Sequence, residues 1–441
     1  MADQNCSPHI VLDGIFFQFH DMSGISRVWS SLLEEWSGTS FGQSLVVLDR
    51  DGSVPKFPGI NYVFVPAYDG NCDANESFLL EEICRQYEAN LFISTFYSTP
   101  LETPSVAMVH DLIPELLKND PKQWTREKRF VTYHADGYIC ISRRTVDDLF
   151  AAYQTSRTAP LCLAHNGVAK PFQPTSPEAV EAFKTRYGIT KPYFLCVGKR
   201  ESYKNCLLFF RAFSELPNKR GFSVVCCGGQ PELEPELRNH VAGNEVHLLK
   251  VSDQELNAAY AGAVALLYPS KYEGFGLPLV EAMASGCPVI TSSNASIPEV
   301  VGDAALLVGD SDVTGMLQRL IDIQTPAVRE PLIQAGFERA KLFSWANSAR
   351  IIGSFLTEMA QRDNSSGGER RKISNERWRA LRTRQRVLDG TDGRLRQLLK
   401  LPELQDHVNH GLESKSLEEL ESEWIDSVKE RVAVETSTLH E

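Results

Sequence analysis

The sequence has no C-x-x-C pair, no apolar run long enough to cross a bilayer and no excess of positive charge. Each absence excludes something. Without paired cysteines at ligand spacing, a structural zinc site is not expected. Without about 20 consecutive apolar residues, no helical membrane span is expected. The formal net charge of -12 opposes nucleic-acid binding, whose footprint is basic. The opening MADQNCSPH is polar, so no secretory leader is read there. Ten cysteines are present, but Cys140, Cys162, Cys196, Cys226 and Cys227 sit inside apolar runs such as YICIS and SVVCCGG. They read as small core residues of a reduced, cytoplasmic protein.

What is present is length and alternation. A chain of 441 residues exceeds one typical core and suits two domains with an appendage. Short apolar runs read as strands (HIVLDGIFFQ, SLVVLDRDG, LFISTFYST, SVAMVHD, HADGYICIS), separated by helical patterns such as RVWSSLLEEW and RRTVDDLFAAY. The proline-bearing NGVAKPFQPTSPEA interrupts this pattern and reads as a linker. Alternation then restarts with YFLCVGK, CLLFFRAFSEL, SVVCCGG, a helical PELEPELRNHV and VALLYPS. Continuous apolar strands between helices predict parallel sheets covered on both faces. The expectation is α/β: a first Rossmann-like domain over 1–170, a second over 190–345, a helix over 346–362 and a charged helical extension over 363–441. In the extension, a basic stretch (ERRKISNERWRALRTRQRVL) precedes an acidic one, a pairing that suits a helical hairpin or a partner- or membrane-surface contact.

The segment Tyr268 to Val308 concentrates chemistry. VALLYPS ends, a loop carries Glu273, Gly274, Phe275 and Gly276, and a helix opens at Leu277 with Pro278 in its first turn. A helix start offers free N–H groups and a positive dipole end to a diphosphate. Glu281 lies one turn into that helix, so both carboxylates can face one ligand. In VGKRESYKN, a strand delivers Lys199, Arg200 and Lys204 to the end where α/β sheets bind ligands. His110 ends the strand SVAMV, and Asp111 beside it suits a cap. In HDMSGIS, Gly24 precedes a helix. Asp49-Arg50-Asp51 and Asp310-Ser311-Asp312 have the letters of a metal-binding Asp-x-Asp, but each sits in a polar turn, where Asp is common for local reasons.

The Tyr268 to Val308 segment resembles the E-x7-E signature of family 4 glycosyltransferases, with Glu273 and Glu281 at its ends and matching flanks in GFGLP, EAMASGCPVI, IPE and GDAA. The resemblance covers roughly residues 9–360. It implies the GT-B architecture: two Rossmann-like domains facing a cleft, the first on the acceptor side and the second holding the donor, with the helix near Phe343 to Trp345 crossing back to the first domain. It implies a retaining transfer of a hexose from a nucleotide-sugar, GDP-mannose or a UDP-sugar, to a glycan or lipid-linked acceptor in polysaccharide or surface-glycan assembly, with no cofactor and no metal. Glu281 then holds ribose hydroxyls and Glu273 faces the donor sugar. Gly274, Phe275, Gly276 and Leu277 offer backbone to the donor, His110 approaches sugar hydroxyls, Gly24 closes over phosphates, and Lys204 faces the leaving phosphate. The partner cation is Lys199 or Arg200, with Arg200 preferred for catalysis and Lys199 for donor binding. Two alternatives remain: a GT-B epimerase or phosphorylase, and a non-catalytic sugar-nucleotide-binding subunit. The expected setting is cytoplasmic, with a peripheral membrane or protein contact through 363–441.

Overall fold

A computed structural model describes residues 9–362 except 20–22, 69–73, 118–127, 129–130, 133–134, 154–158, 201 and 242. The charged extension over 363–441, and the helical hairpin expected there, lie outside the described residues.

Two parallel sheets make the framework. The first holds seven strands: β1 (Ile10–Asp13), β2 (Leu45–Arg50), β3 (Asn61–Val65), β4 (Leu91–Ser94), β5 (Ser105–Val109), β6 (Gly137–Cys140) and β7 (Leu161–Leu163). Their order across the sheet is β3-β2-β1-β4-β5-β6-β7. The second holds β8 (Tyr193–Val197), β9 (Ser223–Cys227), β10 (Val246–Leu249), β11 (Ala265–Tyr268), β12 (Val289–Ser292) and β13 (Ala305–Val308), ordered β10-β9-β8-β11-β12-β13. Both are doubly wound, with the order reversing beside β1 and beside β8. In such sheets ligands bind beyond the carboxyl ends of the strands at that reversal.

The central strands are short and fully buried, as helices on both faces require. Cys226 and Cys227 illustrate the pleat: neighbours in β9, they enter two different cores on opposite faces. All eight cysteines among the described residues are buried free thiols.

Three elements are shorter than their apolar patterns suggest. The run HIVLDGIFFQ is not one strand: β1 stops at Asp13, and Ile15–Gln18 turns as a 3-10 helix. Its Phe16 and Phe17 are buried all the same, so the apolar pattern reports burial, not extension. LFISTFYST leaves the sheet after Ser94, and only Pro235–Arg238 of PELEPELRNHV is helical.

The helix Trp345–Gln361 returns to the first domain. Its Trp345, Ala349, Ile352, Leu356 and Met359 complete the core under β1, β2 and β4. Trp36 donates its indole N–H to the Ala349 carbonyl at 3.0 Å. The linker passes tightly beneath this helix: a Cβ on Gly167 would overlap the Trp345 backbone.

Candidate active site

The carboxyl ends of the two sheets meet. Gly276, at φ 95, occupies the left-handed region that glycine tolerates and serves as the N-cap of the helix Leu277–Ala284. From the first domain, the helix Gly24–Trp36 starts opposite, with Ser23 as its N-cap. A Cβ on Gly24 would lie 3.8 Å from the Leu277 side chain. Two helix starts, one from each domain, therefore face one space, and both dipoles favour an anion there.

Glu273 and Lys204 form the first charged pair. Lys204 Nζ donates to Glu273 Oε1 at 2.7 Å and to the Tyr268 hydroxyl at 2.8 Å. Both side chains are largely buried. Burial opposes the ammonium charge, but Glu273, Tyr268 and Tyr203 outweigh it and hold the Lys204 pKa well above its ordinary value. Lys204 is thus a permanent cation. The Glu273 loop is fixed from below by Ser296, whose hydroxyl donates to the carbonyls of Glu273 and Phe275.

Glu281 lies on the buried side of its helix and accepts a hydrogen bond from Tyr260 at 3.1 Å. Burial raises its pKa, and Arg27 counters part of that rise. Arg27 was not singled out from the sequence. It stands one turn into the helix that Gly24 opens, makes a two-pronged ion pair with Asp253 at 2.7 Å, and places Nε 3.5 Å from Glu281. A first-domain cation thereby reaches the second-domain carboxylate expected to hold a ribose. The one sequence signal was its place a single turn beyond a glycine loop.

His110 is buried at the end of β5, and its Nε2 has no hydrogen-bond partner among the described residues. Burial first, and Lys128 second, push its pKa down to about 3, so the imidazole is neutral. A buried polar nitrogen without a partner calls for a reason, such as an ordered water, an ion or a ligand that completes its bonding. The His110 carbonyl lies against the loop that carries Glu273: a Cβ on Gly274 would overlap that oxygen, so glycine is required where the domains touch. Asp111 accepts from the Ile113 N–H at 3.0 Å and so caps the chain beyond β5.

The structure separates Lys199 from Arg200. Arg200 is 2% exposed. It donates to Glu234 and to the carbonyls of Gly228, Gln230 and Glu232, so its guanidinium is committed inside the fold. Lys199 is exposed at the carboxyl end of β8, just beyond Gly198.

Further contacts bind the domains. Glu299 accepts from the Arg143 N–H at 3.0 Å through both oxygens and pairs with His165 at 2.7 Å. Burial would raise the Glu299 pKa, but His165 and the Arg143 N–H outweigh it and lower it. Tyr272 donates to Asp148 at 2.5 Å, and Thr145 donates to the Gly274 carbonyl at 3.3 Å. The Asp-x-Asp lookalikes do local work: Asp49 accepts from the Val54 N–H and pairs with Lys56, and Asp312 accepts from the Gly315 N–H at a helix start. Among the described residues, no three His, Cys, Asp or Glu side chains cluster as metal ligands. Among them too, no helix is long and apolar enough to cross a membrane.

Residues 191–325 match the family described as glycosyl transferases group 1. An O-antigen chain mannosyltransferase B of Escherichia coli is 36% identical over 163 residues, which is 35% of this chain and 43% of that protein. The O-antigen chain mannosyltransferase RfbU of Salmonella typhimurium is 37% identical over 172 residues, 38% of this chain and 47% of that protein. The matches thus span less than half the length of these curated relatives. A sucrose-phosphate synthase of Thermosynechococcus elongatus superposes with a TM-score of 0.65 at 17% identity, over 80% of this chain and 99% of that one, a likeness of fold. Residues 191–325 are therefore similar to the group 1 glycosyl transferases, and the chain has a two-domain α/β fold of the GT-B kind.

Proposed function

We propose that the chain is a retaining, metal-independent hexosyltransferase that cleaves a nucleotide-sugar and passes the sugar to a glycan acceptor. The observation that carries this reading is the convergence of two helix starts, the permanent Lys204 cation and two buried glutamates on one space between the sheets. Breaking a sugar–diphosphate bond leaves charge on the departing phosphate and an oxocarbenium-like sugar. Lys204, Lys199 and the two helix starts would neutralise the phosphate charge, with no divalent ion required. Glu273, held by Lys204, would stabilise and position the developing sugar cation. Neutral His110 would hydrogen-bond a sugar hydroxyl through its unpartnered Nε2. Glu281 would take the ribose hydroxyls. Arg27, which touches Glu281 from the first domain, would couple that contact to closure of the cleft.

The names of the relatives favour mannose as the sugar, hence GDP-mannose as donor, and a surface polysaccharide as product. A UDP-sugar is the other donor class to include in the test. The proposed setting is the cytoplasmic face of a membrane, reached as a peripheral protein. The test is nucleotide release from a panel of nucleotide-sugars in EDTA, beside Lys204→Ala. Release from one donor that the variant loses supports the reading. Release that requires an added divalent ion, or that survives in the variant, contradicts it.

A further inference from the structure

The loop that carries Glu273 is held from both domains. In its own domain, Ser296 donates to the carbonyls of Glu273 and Phe275. The second hold comes from the helix Arg143–Ala152 of the first domain. The residues on either side of Glu273 both touch that helix. The Tyr272 hydroxyl donates to Asp148 at 2.5 Å, and the Gly274 carbonyl accepts from Thr145 at 3.3 Å.

The helix is built to offer this face. Ser142 caps it and accepts from the Thr145 N–H at 3.0 Å. Thr145 and Asp148 stand three residues apart, so they lie on one side of the helix. Both are buried although they are polar. A buried carboxylate needs partners. Asp148 takes one from its own helix, Arg144 at 2.9 Å, and one across the domain boundary, Tyr272. Burial first, and Asp148 second, hold the Tyr272 pKa well above its ordinary value, so the phenol keeps the proton that it donates.

The same hydroxyl has a second neighbour in the first domain. The Leu112 N–H faces it, two residues beyond His110. One oxygen on the residue before Glu273 thus meets both the helix Arg143–Ala152 and the chain that leaves β5. The next residue after Glu273 completes the seat, with its backbone against the His110 carbonyl. The contact of Arg27 with Glu281 is a separate crossing of the boundary.

We propose that Tyr272 and Asp148 are positioning residues: their hydrogen bond across the domain boundary sets the Glu273 loop against His110. The role given to Glu273 rests on the transferase reading above, whereas the tie itself does not. Tyr272 and Asp148 act through Glu273 and hold no part of the nucleotide.

Amide hydrogen exchange on the full chain, without ligand, reads the tie at Leu112. Tyr272→Phe removes one oxygen and keeps the ring. It should speed exchange at Leu112 about ten-fold, as the loss of one hydrogen bond in a network with a charged group does. Asp148→Ala should also speed it, and the double variant should be no faster than Tyr272→Phe, because both changes break one contact. Asp148→Asn keeps an accepting oxygen and should stay close to wild type. So should Tyr187→Phe, which removes a hydroxyl bonded to Glu255 within the second domain. Thermal melts confirm folding, and Tyr272→Phe carries the test alone if Asp148→Ala melts early. With a nucleotide-sugar that the chain cleaves, Tyr272→Phe should lower kcat about ten-fold and leave the donor KM close to wild type, since Glu281 and Lys199 still hold the nucleotide. Leu112 exchange equal in wild type and Tyr272→Phe overturns the tie, as do single effects that multiply in the double variant. A raised KM with unchanged kcat overturns the positioning role. Coupled exchange in a chain that cleaves no donor keeps the tie and removes the transferase reading.

Discussion

The two sheets share a strand order around their reversal point and differ in what they carry there. At the carboxyl edge of the second sheet stand ionic groups: Lys204 paired with Glu273, Glu281 beneath Arg27, and exposed Lys199. At the same edge of the first stand a neutral histidine and a cluster of aromatic rings over a buried Asp13–Arg50 pair. One wiring therefore supports two chemistries. On the proposed reading, the charges of the second sheet meet the departing diphosphate, while at the edge of the first a neutral histidine stands beside the Lys128–Glu115 pair. The same contrast runs inside the second sheet, between a cation that serves the fold and cations that face the cleft.

That inner contrast gives the largest expected effect. Arg200→Met should destabilise the protein by roughly 3–5 kcal/mol, because it leaves half-buried Glu234 and three carbonyls without their donor. Lys199→Met should leave the melting temperature close to wild type and weaken nucleotide-sugar binding about ten-fold, as loss of one charge-assisted contact does. Calorimetric melts and titrations check both. A stable Arg200→Met protein with weak donor binding would invert the assignment.

The ion pair of the second domain comes next. Lys204→Ala should lower donor cleavage by about 10²–10³, the usual result of removing one group that meets developing charge. Steady-state nucleotide release measures it.

Gly274→Ala tests the point where the two domains touch. The new methyl group would overlap the His110 carbonyl, so the loop or the strand end must move, at a cost of roughly 1–3 kcal/mol. Cleavage should fall more steeply than stability, because the displaced loop carries Glu273.

The smallest effect is the pH response of the first domain. Folded His110 titrates at about 3, below its ordinary 6.5, so the unfolded chain takes up the proton first. The stability held by neutral His110 is complete above pH 6.5 and is lost as pH falls through the window toward 3. Wild type should therefore lose about 1.4 kcal/mol per pH unit within that window relative to His110→Gln. Parallel denaturation curves of the two proteins would show no such divergence if His110 were solvated.

Most of the architecture was legible because buried parallel strands write themselves as short apolar runs between helices. The boundaries were not. Phe16 and Phe17 are as buried in a 3-10 turn as they would be in a strand, so hydrophobicity carried no sign of the break at Gly14. Strand β3 passed unnoticed because Asn61–Val65 lies at the sheet edge, where four of its five residues are partly or fully exposed. Glu273, Glu281 and the Gly274–Leu277 loop stood out because they lie in one short segment, and Lys204 because it follows the strand end at Val197. Arg27, Asp253, Glu299 and His165 act across the domain boundary, and local spacing holds no record of such contacts. The choice between Lys199 and Arg200 turns on the bend at Gly198, φ 92, beyond which Lys199 is exposed and Arg200 is buried.

The most direct test is calorimetric titration of GDP-mannose and UDP-glucose into wild type, Lys199→Met and Lys204→Ala, with EDTA throughout. The account predicts that wild type binds one of these donors without metal and that both lysine variants bind it at least about ten-fold more weakly. Binding that is unchanged in both variants, or that appears only when a divalent ion is restored, would contradict it.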